Sequence, residues 1–204
     1  TFIEQCIDER AQELTHISEL VWEYAEGGYQ EHKSVELLCG ALKKEGFTVT
    51  QNLTNIPTAF KGVWGTGKPV IGILGEYDAL PGLSQQAGCT TKAPREEGAR
   101  GHGCGHNMLG TGALAGAIAV KEYLKETGKS GTVIYFGTPA EENGAGKAFM
   151  ARDGAFDGVD YVYTWHPGTT NGVNSSHMVG LYNRIYSFKG VTAHAGGAPH
   201  LGRS

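Results

Sequence analysis

Three side chains able to bind a metal ion fall within five residues of this chain. In Gly-His-Gly-Cys-Gly-His-Asn, residues 101–107, His102, Cys104 and His106 alternate with glycine. Glycine lets a backbone fold closely around a small object, and alternation can turn the intervening side chains to one side. Thiolate with imidazole suits zinc, or manganese where carboxylates complete the shell. A glycine-rich turn with incidental histidines is the plain alternative. Carboxylates stand at two other places. Glu141 and Glu142 follow the apolar run 132–137, and Glu76 and Asp78 follow the apolar run 69–75. Adjacent acids alone are usually a solvated surface pair. At a sheet end, one can bind metal while its neighbour moves a proton. Asp78 and Glu76 could be ligands, and Asp78 could equally orient a ligand by hydrogen bonding. His166 follows the run 159–165, where a lone histidine is more often structural unless other candidates converge on it.

The elements needed to position these groups are legible from periodicity. Apolar residues Phe2, Cys6, Leu14, Ile17, Leu20, Val21 and Tyr24 predict one long amphipathic helix over 2–24. Ser34 reads as the N-cap of a second helix that Gly46 ends. Strands are expected at 47–49, 59–64, 69–75, 132–137 and 159–165, with a short helix near 147–153. A helix over 107–127 carries Gly110, Gly112, Ala113, Gly116 and Ala117, small enough to lie close on a sheet. Helix alternating with strand predicts an α/β sheet. Ligands of open α/β sheets sit outside the carboxyl ends of the strands. The acids and His166 fall just past strand ends and the 101–107 cluster in the loop opening a helix, so these residues could converge on one crevice. After His177 the character changes: 180–190 reads as a strand, and Ser204 looks like an N-cap without its helix. The chain is therefore expected to be an N-terminal piece of a longer protein.

Composition narrows the class. Glycine supplies 32 of 204 residues, roughly twice the ordinary share, but without a three-residue period and with seven prolines, which excludes collagen. Net charge is −4 with lysine and arginine scattered, so no nucleic-acid footprint is present. No apolar run approaches the ~20 residues of a membrane span, and the acidic N-terminal stretch is unlike a signal peptide. Four cysteines make no dense disulfide framework; Cys6 and Cys39 fall on apolar helical positions, and Cys89 has no evident role. These features lead to the expectation of a cytoplasmic protein.

Five motifs recur in a fixed order: Gly-Glu-Tyr-Asp-Ala-Leu-Pro-Gly at 75–82, the 101–107 cluster, Pro-Ala-Glu-Glu at 139–142, Thr-Trp-His-Pro at 164–167 and Phe-Lys-Gly-Val-Thr-Ala-His-Ala at 188–195. Together they resemble the dinuclear metal amidohydrolases that include aminoacylases, carboxypeptidase G and auxin-conjugate hydrolases. Within these they are most similar to the branch that cleaves p-aminobenzoyl-glutamate. The resemblance covers nearly the whole chain. It implies a zinc-peptidase-like α/β catalytic domain with a central mixed sheet, interrupted by a smaller α+β lid that mediates dimerisation. Residues 1–183 would be the N-terminal part of the catalytic domain and 184–204 the start of the lid. Two divalent ions, manganese or zinc, would be held by Cys104, His106, Glu142 and His166, with Cys104 a plausible bridge. Glu141 would be the general base, Asp78 would support the ligands, and His194 would reach the partner subunit's site to stabilise the oxyanion. His102 matches no usual ligand. Many relatives carry Asp where this chain has Asn107, and His-Pro-Glu where it has 23–31.

The implied reaction is hydrolysis of the amide in p-aminobenzoyl-glutamate or a similar N-acyl amino acid or dipeptide by a metal-activated water. The implied partners are a second copy through the lid and a second hydrolase subunit. Four protein ligands leave two ions short of full shells, and the resemblance implies a further histidine ligand beyond residue 204. Two other readings stand beside this one. One is a non-catalytic partner subunit or metal-binding regulator that keeps the fold. The other is a hydrolase using Cys104 as nucleophile, activated by His106 or His102.

Overall fold

The computed structural model describes residues 1–173, 180, 182 and 184–203. His177 and Ser204, which marked a change of character and a cap in the sequence, lie outside the described residues. The chain divides into two compact units, Thr1–Thr169 and Thr170–Ser204.

The first unit is built on a five-stranded mixed sheet: β1 (Thr48–Gln51), β2 (Phe60–Thr66), β3 (Val70–Gly75), β4 (Gly131–Gly137) and β5 (Tyr161–Tyr163), in the order β1-β2-β4-β3-β5. β1, β2 and β4 pair antiparallel, whereas β4, β3 and β5 run parallel. β4 shows why a central strand reads as a continuous apolar run. Val133 and Tyr135 join the core on one face, and Ile134 and Phe136 join a second core on the other.

Four helices cover the first face: α1 (Phe2–Asp8), α2 (Ala11–Tyr24), α3 (His32–Lys44) and α4 (His106–Thr127). The close approach predicted for the small residues of α4 is present, since a Cβ at Gly110 would stand 2.5 Å from the Glu76 carbonyl oxygen. Two short helices, α5 (Glu141–Gly144) and α6 (Gly146–Arg152), follow β4, and Met150 of α6 packs into the second core. Among the described residues no helix is long and apolar enough to cross a membrane.

Three local expectations change. The first helix is two, broken at Glu9 and Arg10, because Arg10 turns to bond the Cys6 carbonyl and the Glu45 carboxylate. Ser34 lies inside α3 rather than capping it. Glu26 performs the capping from outside the helix, its carboxylate accepting from the Lys33 and Ser34 amides and from the Ser34 hydroxyl. No described residue within 180–190 is in a strand; in that unit Val191 pairs only with Arg203, so a ladder partner is lacking among the described residues.

The helical layer is stitched by a charge network. The Glu45 carboxylate accepts from Arg10 Nε at 2.9 Å and from the nearly buried Lys121 Nζ at 2.6 Å, and Lys121 also bonds the Glu45 carbonyl. Burial works against the Glu45 charge, but bonds from Arg10 and Lys121 win and hold its pKa below the ordinary value. That stabilisation is complete above the ordinary carboxylate pKa and fades as pH falls through the lowered one. Glu45→Gln is therefore expected to lose about 2 kcal/mol at pH 7. In urea melts the gap between parent and variant should close on acidification.

Candidate metal centre

Because β3, β4 and β5 are parallel, their carboxyl ends open on one edge, with Gly75 of β3 directly opposite Gly137 of β4. Glu76, Tyr77 and Asp78 continue β3. Tyr77 is driven into the core, its hydroxyl donating to the Thr58 carbonyl at 2.6 Å and its ring stacked on Phe60, so its two acidic neighbours are turned the other way. Residues 138–142 continue β4, and His166 lies just past β5. Trp165 ties that segment down by donating from Nε1 to the Leu109 carbonyl of α4. Gly105, at φ 78°, makes the left-handed turn that brings Cys104 and His106 to the same edge.

His106 is the hub. Fully buried, it bonds through Nδ1 to Asp78 Oδ1 at 2.9 Å, while Asp78 Oδ2 accepts from the Glu142 amide at 2.9 Å. This leaves Nε2 facing Glu76 Oε2 at 3.0 Å and Glu141 Oε2 and Glu142 Oε1 at 3.9 Å each. Among the described residues neither Nε2 nor Glu142 Oε1 has a hydrogen-bond partner, although both are buried. Cys104 Sγ lies 3.2 Å from His166 Nε2. Ligand atoms of Cys104, His106 and His166 fall within 4.8 Å of one another, as do those of Glu76, His106 and Glu141. Two orphaned buried ligand atoms beside a thiol, a second imidazole and further carboxylates are what a divalent cation satisfies, so the residues fit a metal site.

The electrostatics agree. Burial alone would lower the pKa of His106, but the bond and charge of Asp78, with the charges of Glu76 and Glu142, raise it. Burial opposes the charge of Asp78 too, yet bonds from His106 and the Glu142 amide hold it below the usual range. Burial, then the charge of Glu76, pushes Glu141 up. Burial, then Glu142, pushes Cys104 up to about 11.

Of the residues singled out by sequence, Cys104, His106, Glu141, Glu142, His166 and Asp78 converge on this edge. Asp78 takes the orienting alternative, holding His106 rather than facing the centre. His194 belongs to the other unit, where its Nδ1 accepts from the Gly196 and Gly197 amides at 3.2 and 2.8 Å. With Nδ1 occupied as an acceptor, the proton of the neutral ring is fixed on Nε2. His102 is turned away: its Nε2 meets the Val21 carbonyl at 3.0 Å, and burial lowers its pKa to about 4. Glu76 comes closer to His106 than the sequence reading required. Two groups were not found from sequence. Lys147 Nζ pairs with Glu76 Oε1 at 2.5 Å, and the fully buried Glu31 accepts from the Ala140 amide at 2.8 Å. Both contacts join distant segments, and no local pattern announces them. A separate cleft of about 350 Å³, lined by Trp22, Tyr24, Arg95 and Arg100 among others, contains none of the candidate ligands.

Comparison with known proteins places this geometry in a family. Over 203 residues the chain is 50% identical to one of the subunits of the p-aminobenzoyl-glutamate hydrolase of Escherichia coli K12, matching 100% of this chain and 42% of that protein. It is 30% identical to human Xaa-Arg dipeptidase over 97% of this chain and 45% of that protein. The chain thus spans less than half the length of these two relatives. In structure it superposes on a Bacillus subtilis dinuclear metal binding peptidase from the M20 family with a TM-score of 0.65, at 23% identity, covering 77% of this chain and 43% of that one. The profile of peptidase family M20/M25/M40 matches residues 72–195, the span that holds every candidate ligand. The chain belongs to peptidase family M20/M25/M40.

Proposed function

We propose that the whole protein is a metal-dependent amidohydrolase that cleaves p-aminobenzoyl-glutamate or a similar N-acyl amino acid or dipeptide. The observation that carries this reading is the His106 hub, whose unpartnered Nε2 and the unpartnered Glu142 Oε1 face each other beside Cys104, His166 and Glu141. Cys104, His106, Glu142 and His166 would hold two divalent ions, zinc or manganese. Bound there, such ions would supply Lewis acidity and lower the pKa of a water towards neutrality. The remaining steps fall to this chain's side chains. Asp78 keeps the His106 proton on Nδ1 and its lone pair on Nε2. Glu141, raised by burial and Glu76, takes the proton of the attacking water and returns it to the departing amine.

His194 is assigned to the oxyanion. Its two accepted amide bonds leave Nε2–H as the free donor, the form needed to stabilise developing negative charge. His194→Ala in the full-length protein is expected to lower kcat by about 10²–10³-fold with metal content unchanged. Steady-state kinetics beside elemental analysis checks this, and metal loss in the variant would assign His194 a different role. Residues 1–183 are read as the N-terminal part of the catalytic domain and 184–204 as the start of a lid through which two copies pair. A second hydrolase subunit is a further partner, in keeping with the Escherichia coli relative's being named as one of several subunits.

The cysteine-nucleophile alternative fits poorly. Burial, then the carboxylate of Glu142, raises the Cys104 thiol to about 11 even with His166 Nε2 at 3.2 Å, which disfavours a free thiolate. The deciding experiment follows release of p-aminobenzoate from p-aminobenzoyl-glutamate by the full-length protein, with and without chelator. Turnover abolished by chelator and restored by zinc or manganese supports the proposal. Turnover indifferent to chelator but stopped by thiol alkylation overturns it. Bound metal without turnover, recovered on adding a partner subunit, would instead mark a non-catalytic subunit.

A further inference from the structure

Glu141 has no hydrogen bond of its own among the described residues, and its side chain is 44% exposed. Its position is therefore set by the backbone beneath it, and that backbone is unusual. α5 spans four residues, has no side-chain cap, and is flanked by two left-handed alanines, Ala140 at φ 57° and Ala145 at φ 50°. A left-handed alanine is strained by its Cβ, so outside contacts must hold the turn.

One loop supplies them at both ends. Glu31, with no exposed surface, accepts the Ala140 amide through Oε1 at 2.8 Å. Tyr29, itself left-handed at φ 62°, donates its hydroxyl to the Gly144 carbonyl at 2.6 Å. The seat is close-fitting: a Cβ at Gly28 would stand 2.9 Å from the Ala140 methyl, and one at Gly144 would collide with the Tyr29 ring. Asp78 grips the middle through the Glu142 amide. The ligand network thus holds Glu142, while the proton-handling neighbour depends on the ends of the turn.

We propose that Tyr29 and Glu31 are positioning residues, which clamp the two ends of the 140–144 turn and so fix the Glu141 carboxylate relative to His106 Nε2. The inference rests on Glu141 being the base. A displacement near 1 Å at a reacting group costs on the order of 10²-fold in rate, and loss of an orienting partner about 10–100-fold.

The test uses the full-length protein, metal-loaded, at a temperature where circular dichroism shows each variant folded. Tyr29→Phe and Glu31→Ala should each lower kcat by about 10–100-fold with KM within about twofold and metal content kept. Glu31→Gln keeps an acceptor oxygen at the same reach and should restore kcat to within about threefold of the parent. A merely structural role would not produce this kcat-only loss with rescue by glutamine. Parental kcat in folded Tyr29→Phe overturns the proposal, as does Glu31→Gln impaired as severely as Glu31→Ala. Should Glu31→Ala fail to fold, Tyr29→Phe decides by its own criterion, and a folded Glu31→Gln with kcat more than about tenfold below the parent overturns the proposal. Glu141→Gln in the same assay separates the two readings. If it is inactive while the Tyr29 and Glu31 variants turn over normally, the clamp alone is wrong; if it retains parental turnover, both readings fall.

Discussion

Glu141→Gln in the full-length protein lowers kcat by about 10²–10⁴-fold and leaves the metal content as in the parent. Glutamine fills the same volume and can still accept a hydrogen bond, but it cannot take a proton, so the substitution removes one chemical capacity. Metal retention follows from the division of labour at the edge of the sheet. Glu142 is tied to Asp78 through its amide and turns a buried, unpartnered Oε1 towards His106, whereas Glu141 stands nearly half exposed with Oε2 3.9 Å from Nε2. KM should move little, because a proton transferred only in the transition state contributes little to ground-state binding. Initial-rate kinetics with elemental analysis of the same preparation reads both quantities. Parental turnover would remove Glu141 as the base and turn attention to Glu76, which lies closer to Nε2.

What the sequence made legible follows from what is local. The runs ending at Gly75 and Gly137 could be read as strands because buried parallel strands are apolar throughout, and the acids beyond them then had to lie at strand ends. The crowding of small residues in α4 announced close packing, which the Gly110 contact with the Glu76 carbonyl bears out. The break at Arg10 was hidden because its cause is tertiary: the guanidinium leaves the helix direction to meet Glu45, thirty-five residues away. The same reason hid Glu26 as the cap of α3 and Glu31 as a support for the 140–144 turn. A carboxylate reads as surface until the fold shows what it meets. β5 proved shorter than the apolar run 159–165, since only three residues pair with β3 and the chain then turns to seat Trp165 on α4.

Cys104→Ala is expected to have the larger effect on the metal itself. The full-length protein should carry about two equivalents of zinc or manganese per subunit, and the variant less than half of that. Cys104 Sγ sits 3.2 Å from His166 Nε2 and shares one ligand cluster with His106, so its loss removes the only thiol from a group of three donors. Burial, then the carboxylate of Glu142, pushes its pKa up to about 11, so binding must displace the thiol proton, and affinity should fall with acidification. Serine at this position makes the sharper comparison. Cys104→Ser keeps a small protic side chain but is a far poorer zinc ligand, so zinc should drop more steeply than manganese, which prefers oxygen. Elemental analysis of parent, Cys104→Ala and Cys104→Ser after dialysis against each metal gives the three ratios. Equal retention of both metals in all three proteins would remove Cys104 from the ligand set and leave the Glu76, His106 and Glu141 cluster to hold the ion.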